Sequence, residues 1–459
     1  MVFSSITFVY AFFPLVAVAY YLSKNRVYRN VVLLLASLLF YSWGEPRFLL
    51  LMLAATLAAY CGGLLMERST AHKRLILIVT VVLLVGNLFV FKYLNFFSEN
   101  LSALFGWRAL PKLTLPIGIS FYTFQILSYV IDLYRGEIRV QRNYFYLLLY
   151  VSFFPQLIAG PIVKYHDVEQ EIDSRRTTSQ ETALGIRRFI CGLSKKLLLS
   201  NALGQMADTV FALPAGEIGM LAGWTGAICY TLQIYFDFSG YSDMAIGLGR
   251  MFGFHFRENF NYPYTATTIK EFWRRWHISL SGWFRDYLYI PLGGNRKGNA
   301  RTWLNRFLVF FATGLWHGAS WTFVLWGLWH GLFSVLEDCG AIPVDKLKGK
   351  RIGQLYTLLV VVLGFTLFRA DTLAQAGAMY TAMFSGVGLH WLGTAAVWAK
   401  FTPAFALTLC LALLLCTPVA REHTPKRESV TFIGSLGLLL LCMMYLAAGS
   451  FNPFIYFRF

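Results

Sequence analysis

Long runs of apolar residues, separated by short polar segments, fill most of this chain. A membrane-spanning helix needs about 20 apolar residues, so each long uncharged run predicts a membrane segment. We therefore predict an all-α polytopic membrane protein. The predicted segments are Met1–Ser23, Phe48–Met66, Leu75–Phe91, Leu113–Ile131, Asn143–Val163, Ile218–Phe236, Phe307–Leu336, Ile352–Phe368, Phe401–Ala420 and Ser429–Phe457, with Val31–Gly44 as a shorter, tilted partner or half of a hairpin.

Three stretches depart from this simple pattern. Phe307–Leu336 holds 30 residues without Lys, Arg, Asp or Glu, too many for one untilted span, so we predict two pieces or a span with a re-entrant turn. Arg257–Arg306 combines nine basic and three acidic residues with many aromatic ones, which predicts amphipathic or re-entrant helices in protein-lined space. Lys164–Arg188 is polar enough to be a loop or a surface helix.

Basic residues mark one side of the membrane in the first half of the chain. They occupy alternate loops, which the positive-inside rule assigns to the cytoplasm, so the N-terminus is expected on the other side. These residues are Lys24, Arg26 and Arg29, then Lys73 and Arg74, then Arg135, Arg139 and Arg142. The first apolar run has neither a basic leading region nor a small-residue cleavage site, so we expect it to remain as a membrane segment.

Composition narrows the class of protein further. Of the 459 residues, 57% are hydrophobic and 14% are charged, against about 25% charged in soluble domains, so residues 1–459 are predicted to form one membrane domain. Within it we expect N-terminal transmembrane helices in 1–142, a catalytic region in 143–340 and C-terminal transmembrane helices in 341–459. The charge of +17 lies in short loops, which argues against nucleic-acid binding. Seven scattered Cys without a C-x-x-C pair argue against a zinc site.

A histidine in the aromatic-rich region is the first candidate for chemistry. On a continuous helix, Arg274, His277, Ser281 and Arg285 are spaced three, four and four apart and would share one face. Such a cationic face could line a cavity for an anionic cofactor. Equally, these arginines could face lipid headgroups from an interfacial helix.

Two further histidines lie in the long uncharged run. His317 follows Trp316 and precedes Gly318, and an ionisable residue at membrane depth is a functional hypothesis by default. The alternative is a histidine that joins two helices by a hydrogen bond. His330 lies about 220° away from His317 around a continuous helix, so both can line one cavity only if the chain bends between them. We interpret His330 as structural.

Two polar motifs have weaker interpretations. Asp237 and Asp243, with Ser239 and Ser242 nearby, lack the ligand spacing of a known metal site, so no metal is predicted. The turn Pro291–Gly298 carries Arg296 and Lys297, which could contact phosphates. A loop on the positive side of the membrane explains the same residues.

Several long strings resemble the bacterial branch of the membrane-bound O-acyltransferase (MBOAT) family, in particular its alginate O-acetyltransferases and their peptidoglycan and cellulose relatives. Two of them are EFWRRWHISLSGWFRDYLYIPLGGNRKG and GLWHGASWTFVLWGLWHG. The others cover Met1–Leu15, Leu115–Glu137, Phe153–Tyr165, Tyr235–Gly249 and Asn452–Phe459. The resemblance implies an MBOAT fold of about 11–13 transmembrane and re-entrant helices around a central funnel.

The resemblance also implies a reaction. The family's essential histidine matches His317, which would act as the general base, and a second signature position matches His277. The implied donor is cytoplasmic acetyl-CoA, not a permanently bound cofactor. Arg274, Ser281, Arg285, Trp316, Arg296 and Lys297 are candidates for contacting substrate or acyl-CoA.

The partners implied by the resemblance lie in and beyond the bacterial inner membrane. The chain would be surrounded by membrane lipid and would pass acetyl groups to an extracytoplasmic SGNH-type or AlgX/AlgJ-like protein, which would esterify a polysaccharide. D-alanyl transfer in teichoic-acid modification is an alternative reaction. A glycan-related transporter, or a scaffold without catalytic activity, would also accommodate intramembrane His and Arg.

Overall fold

Helices make up the regular structure in the computed structural model, which describes residues 1–69, 71–385, 391–422, 427–449 and 452. Within those ranges there is no β-strand, as the all-α prediction requires. The α-helices are α1 Phe13–Tyr21, α2 Arg26–Ser42, α3 Leu49–Arg68, α4 Lys73–Leu88, α5 Leu94–Phe105, α6 Ile119–Arg135, α7 Tyr144–Ser152, α8 Phe154–Leu157, α9 Tyr165–Ser174, α10 Ser179–Ser194, α11 Asn201–Phe211, α12 Gly219–Met251, α13 Ile269–Arg275, α14 Ile278–Phe284, α15 Asn299–His317, α16 Trp321–Asp338, α17 Val344–Leu347, α18 Arg351–Arg369, α19 Leu373–Phe384, α20 Trp391–Lys400, α21 Pro403–Leu415, α22 Val419–Glu422 and α23 Glu428–Ala447.

Shorter helical turns complete the regular structure. π-Helical segments occur at Thr7–Phe12, Phe89–Tyr93, Lys195–Ser200 and Arg285–Tyr289, and 3₁₀ turns at Pro46–Phe48, Ala215–Glu217 and Pro263–Thr265.

Four continuous helical stretches in the described residues are long and apolar enough to cross a membrane. They are Pro46–Arg68, Lys73–Phe105, Arg351–Arg369 and Glu428–Ala447, and α20 with α21 becomes a fifth if this pair, bent by 85°, is one span. The predicted segments Phe48–Met66, Leu75–Phe91 and Ile352–Phe368 are thereby confirmed. The predicted Ser429–Phe457 is a helix as far as Ala447, and its end, like most of the resembling string Asn452–Phe459, lies outside the described residues.

Other apolar runs do not form the single helices that the sequence predicts. Asn143–Val163 is divided between α7 and the four-residue α8, because the backbone leaves the helical conformation at Phe153, and Pro155 lies in the first turn of α8. Leu113–Ile131 becomes helical only at Ile119, after the left-handed Gly118. These two predictions of membrane segments were wrong in their extent.

The chain divides into two compact units. Unit 1 contains Met1–Phe189 and Ser242–Arg257, and unit 2 contains Ile190–Tyr241 and Glu258–Phe459. The division into 1–142, 143–340 and 341–459 concerns roles along the chain and stays a prediction.

Unit 1 has an aromatic core and a polar surface helix. Phe8, Phe12, Phe40 and Phe154 pack with ring centroids 5.4–6.2 Å apart. The predicted surface segment Lys164–Arg188 is confirmed as α9 and part of α10.

On α9, His166 Nδ1 lies 3.2 Å from Asp132 Oδ2, and its Nε2 lies 3.2 Å from Asp167 Oδ1. These hydrogen bonds, to Asp132 first and then to Asp167, raise the pKa of His166 to about 9.

Unit 2 contains a close helical hairpin formed by α15 and α16. Gly314 packs against Phe323, and Phe310 packs against Gly327 and Gly331, so the two helices run antiparallel. A Cβ atom on Gly314 would overlap the carbonyl oxygen of Phe323, which explains the small residue at this crossing. The long uncharged run is thus two pieces, as the sequence predicts.

Helix α18 extends this arrangement on the other side of α16. Trp329 Nε1 donates a hydrogen bond to the carbonyl oxygen of Val360 over 3.0 Å, while the rings of Phe323 and Phe368 lie 4.8 Å apart. Helix α18 therefore runs antiparallel to α16 and parallel to α15, so the ends of α15 and α18 lie at the same end of the hairpin.

Candidate active site

The backbone breaks at His277. Helix α13 ends at Arg275, α14 begins at Ile278, and His277 has a left-handed φ of 43°. This conformation is unfavourable for a residue with a Cβ, so neighbouring contacts must hold it. Ile278 N donates to the carbonyl oxygen of Asn259 over 3.0 Å, and Asn261 N donates to that of Arg275 over 2.9 Å. The extended segment at Asn259 therefore fixes both sides of the bend.

The predicted cationic helix face was wrong, because no continuous helix joins its members. Arg274 is exposed, and so is Arg285, which pairs with Asp286 over 2.7 Å. Ser281 Oγ donates to the carbonyl oxygen of Trp273 over 3.2 Å. His277, by contrast, is fully buried.

The surroundings of His277 decide which ring nitrogen carries the proton. Asn259 Oδ1 accepts hydrogen bonds from Ser279 N over 3.2 Å and from Ser279 Oγ over 2.9 Å, and it lies 3.2 Å from His277 Nδ1. Because a backbone N–H can only donate, the atom of Asn259 that faces it must be the oxygen. Nδ1 therefore carries the proton in the neutral ring, and Nε2 carries a lone pair. Among the described residues this buried Nε2 has no hydrogen-bond partner.

His317 lies beside this ring, in an aromatic enclosure. Its ring centroid is 4.9 Å from that of Trp316, 5.0 Å from Trp326, 5.2 Å from Phe368 and 6.4 Å from His277. The His277 and Trp316 rings are 5.9 Å apart. The structure thus brings together three sequence-predicted site residues, His277, Trp316 and His317.

The position of His317 follows from where its helix stops. It is the last residue of α15, and the chain is extended at Gly318 before α16 begins at Trp321. The C-terminal end of a helix carries partial negative charge, which stabilises a cation placed there. A positive charge on His317 would therefore be stabilised by its own helix.

His330 packs behind the pair. Its ring lies 5.3 Å from Trp326 and 5.2 Å from Trp273, and Phe272 stacks on it at 6.3 Å. His317 and His330 both contact the Trp326 ring, with centroids 5.0 Å and 5.3 Å from it, and the chain bends between them at Gly318, as the sequence requires for two histidines near one point. The structural interpretation of His330 stays a prediction.

The remaining sequence candidates lie elsewhere. Arg296 and Lys297 are exposed in the turn that precedes α15. Asp237 forms a buried ion pair with Lys196, and Asp243 pairs with Arg188 over 2.6 Å. The described residues contain no group of three or more His, Cys, Asp or Glu side chains that could hold a metal ion.

A cavity of about 200 Å³ lies within unit 2, and His317 is not one of its lining residues. Phe368, which contacts the His317 ring, forms part of its wall, and the buried Arg369 side chain pairs with Asp208 over 2.6 Å. The lining residues are Tyr230, Ser320, Thr322, Phe323, Phe368, Arg369, Ala370 and Asp371. Hydroxyl groups, a carboxylate and aromatic rings thus surround a space suited to a small polar group.

Comparison with known proteins decides the family. A probable alginate O-acetylase AlgI of Pseudomonas putida is 42% identical over 492 residues, which cover the whole of both chains. This chain belongs to the membrane-bound O-acyltransferase family. Residues 137–339 match the model of that family, MBOAT, and include both His277 and His317. The resemblance inferred from the sequence is confirmed, and the chain is a membrane protein.

Two further relatives show the breadth of this MBOAT group. The peptidoglycan O-acetyltransferase of Helicobacter pylori is 32% identical over 519 residues, covering all of this chain and 98% of the relative. The teichoic acid D-alanyltransferase of Bacillus subtilis is 30% identical over 241 residues, covering 49% of this chain and 58% of the relative.

Sequence reasoning missed three members of this MBOAT site. Asn259 lies 18 residues before His277, in a segment without helical periodicity, and only its fold-back onto the bend reveals its role. Trp326 and Phe368 resemble ordinary apolar helix residues in the sequence. The one available signal for Trp326 was its spacing, since it lies between two Trp-His-Gly motifs.

Proposed function

We propose that this protein is a membrane O-acetyltransferase that transfers an acetyl group from acetyl-CoA to a hydroxyl group on the opposite side of the membrane. The observation that carries the proposal is the buried pair of His277 and His317 rings within an aromatic enclosure, in a chain similar over its full length to O-acetylases. Aromatic walls exclude water, which would otherwise hydrolyse the thioester.

In this proposal His317 is the general base. It accepts the proton of the acceptor hydroxyl while that oxygen attacks the thioester carbonyl. The new C–O bond forms, the C–S bond breaks, and the thiolate leaves and takes up a proton to give free CoA. The C-terminal end of α15 stabilises the imidazolium formed in between.

His277 and Trp326 have supporting roles in the proposed reaction. With its proton on Nδ1, His277 presents the Nε2 lone pair, which can accept a hydrogen bond from a second donor group of the acceptor and so orient it, because the one proton of the reacting hydroxyl goes to His317. The buried Trp326 Nε1 has no hydrogen-bond partner within the described ranges. As a donor, it is suited to the oxyanion that develops on the carbonyl oxygen.

The donor and the acceptor are proposed to arrive from opposite sides. Exposed Arg274, Arg285, Arg296 and Lys297 raise the local concentration of anionic CoA. The basic segment Lys346–Arg351 precedes α18, so the positive-inside rule assigns it to the cytoplasm. In this proposal the 19 residues of α18 then bring Arg369, and the cavity that it lines, to the extracytoplasmic side.

This topology implies on which side of the membrane each proposed partner acts. In this proposal the acetyl group is passed to an SGNH-type or AlgX/AlgJ-like protein and then to a polysaccharide, the class of acceptor that the name of the similar alginate O-acetylase indicates. The proposed location is the bacterial inner membrane, with the N-terminus outside the cytoplasm. A cavity of about 200 Å³ admits a single side chain or sugar unit rather than a folded polymer, which favours a relay.

The test uses the full chain, purified in detergent, with acetyl-labelled CoA and the proposed extracytoplasmic partner as the acceptor. Release of free CoA is expected to fall by about 10²–10⁴-fold in His317→Ala, with a matched melting temperature. The exposed His72→Gln serves as the control for histidine substitution. Unchanged turnover in His317→Ala would refute the general base, and turnover with a D-alanyl donor but not with acetyl-CoA would replace the donor.

A second experiment tests the relay. A defined glycan is offered to the purified chain with and without the extracytoplasmic partner. Efficient acetylation by the chain alone would overturn the relay and leave the transferase activity intact. Glycan transport without acyl transfer, or full acetylation in cells that carry His317→Ala, would instead support a transporter or a scaffold.

A further inference from the structure

A second cavity lies within unit 1, at one end of α3, α4 and α6. Its volume is about 520 Å³. Helix α3 ends at Arg68, α4 begins at Lys73 and α6 ends at Arg135, so the cavity is formed where three helix ends meet. It is lined by Met66, Glu67, Lys73, Leu133, Gly136, Ile138, Arg139, Val140 and Arg142.

The lining is amphipathic. Met66, Leu133 and Ile138, which are buried, form an apolar floor. The charged rim consists of three cations, Lys73, Arg139 and Arg142, and one carboxylate, Glu67. The lining therefore has an excess of two positive charges directly above an apolar surface. A ligand that matches it carries a phosphate at one end and a hydrocarbon at the other.

The three rim cations are not equally engaged. Arg142 pairs with Glu67 over 3.1 Å, and Arg139 interacts with Glu169, which lies outside the lining. Lys73 Nζ lies over the Tyr134 ring at 5.5 Å and forms no ion pair with any described residue. Lys73 is therefore the cation that is most available to a phosphate, and Glu67 competes with a phosphate for Arg142.

Two apolar spans with largely unburied surfaces border this cavity. In the most apolar windows of the spans Pro46–Arg68 and Lys73–Phe105, only 33% and 22% of the residues are buried, so most of both surfaces faces the bilayer. Both spans end at the cavity. A soluble phosphate would find the cations but would leave the apolar floor unused.

We propose that this cavity binds the headgroup of an anionic phospholipid, with the phosphate among the rim cations and the first part of an acyl chain on the apolar floor. The site is separate from the histidine pair, and the proposal does not depend on the proposed reaction. Its ligand is a membrane component, whereas the acetyl donor is a soluble nucleotide thioester.

The test measures thermal unfolding of the full chain in a neutral detergent, titrated with phosphatidylglycerol or with phosphatidylcholine of the same acyl chains. A saturable rise in melting temperature is expected for phosphatidylglycerol only. Lys73→Gln should weaken this binding about fivefold, as expected for one juxtamembrane charge near the membrane surface. The matched control is Arg74→Gln, because Arg74 is an exposed neighbour outside the lining.

A substitution that is expected to tighten phosphatidylglycerol binding is tested as well, because a variant that binds more weakly can do so through poor folding. Glu67→Gln removes the competing carboxylate and should tighten phosphatidylglycerol binding. Equal stabilisation by phosphatidylcholine, equal weakening by Arg74→Gln, or unchanged binding in both Lys73→Gln and Glu67→Gln would overturn the proposal. Stabilisation by glycerol phosphate or CoA at matched concentration would overturn it in favour of a soluble phosphate ligand.

Discussion

Replacement of Asn259 by leucine tests whether the hydrogen bonds at the His277 bend orient the His277 ring for the proposed reaction. Asn259 Oδ1 takes three donors at 2.9–3.2 Å, two from Ser279 and one from His277 Nδ1. Leucine has similar volume and accepts none of them. Ser279 Oγ is half-buried and can turn to another partner, which leaves the backbone N–H of Ser279 and the ring of His277 affected.

The two affected groups predict two separable effects. A buried N–H without a partner costs about 1–3 kcal/mol, so thermal stability should fall. His277 can avoid the same cost by moving its proton to Nε2, but this removes the lone pair proposed to orient the acceptor. The loss of one hydrogen bond worth about 0.5–1.5 kcal/mol corresponds to a fall in kcat of about 2–10-fold.

The assay is turnover of labelled acetyl-CoA per folded molecule, with KM for the donor measured alongside. Asn259 is proposed to position His277, so kcat should fall while the KM for acetyl-CoA stays near its normal value. Asn259→Asp keeps the acceptor oxygens and should restore most of the activity. If the leucine variant loses stability but keeps its kcat, or if aspartate fails to rescue a stable variant, the tautomer argument is refuted.

Three further outcomes are expected from the packing and the charges. Gly314→Val should lower the melting temperature by the equivalent of about 1–3 kcal/mol through overpacking. The control is Gly282→Ala, because Gly282 has open space around it, and this variant should keep the melting temperature unchanged. Equal effects of the two substitutions would contradict the close packing of α15 and α16. Because the pKa of His166 is raised from 6.5 to about 9, its stabilising contribution is complete below pH 6.5 and lost as the pH rises through 9. Thermal unfolding across this range should therefore show a decline that His166→Gln abolishes; an unchanged decline in the variant would exclude this histidine as its source. Lys196→Met, which leaves the carboxylate of Asp237 buried, should cost about 3–5 kcal/mol, and adding Asp237→Leu should recover most of it; a double variant as unstable as the single one would refute the ion-pair argument.

The sequence predicted the elements that depend on composition alone. Uncharged apolar runs were sufficient for α3, α4 and α18, and the length of the run after Arg306 was sufficient to predict its division into α15 and α16. His317 stood out because an ionisable group within such a run is costly. Family resemblance then supplied the class of reaction.

The bend at His277 could not be predicted from the local sequence pattern. The spacing of Arg274, His277, Ser281 and Arg285 suits a helix, and the break is imposed by Asn259, a contact with another segment. The prediction that Asn143–Val163 is a single membrane segment was wrong for a related reason. Most of its apolar residues, with the exception of the exposed Phe145, are buried by protein within unit 1, and hydrophobicity does not distinguish burial in protein from burial in lipid.

The position of His317 at the last residue of α15 has a consequence for insertions and deletions. One residue added within α15 between Gly314 and His317 would advance the histidine by about 1.5 Å and rotate it by about 100°, away from His277. One residue added in the turn before Asn299 would leave the glycine crossing and the histidine in place. Related chains should therefore tolerate length changes in that turn and keep a fixed number of residues between the glycine crossing and the histidine.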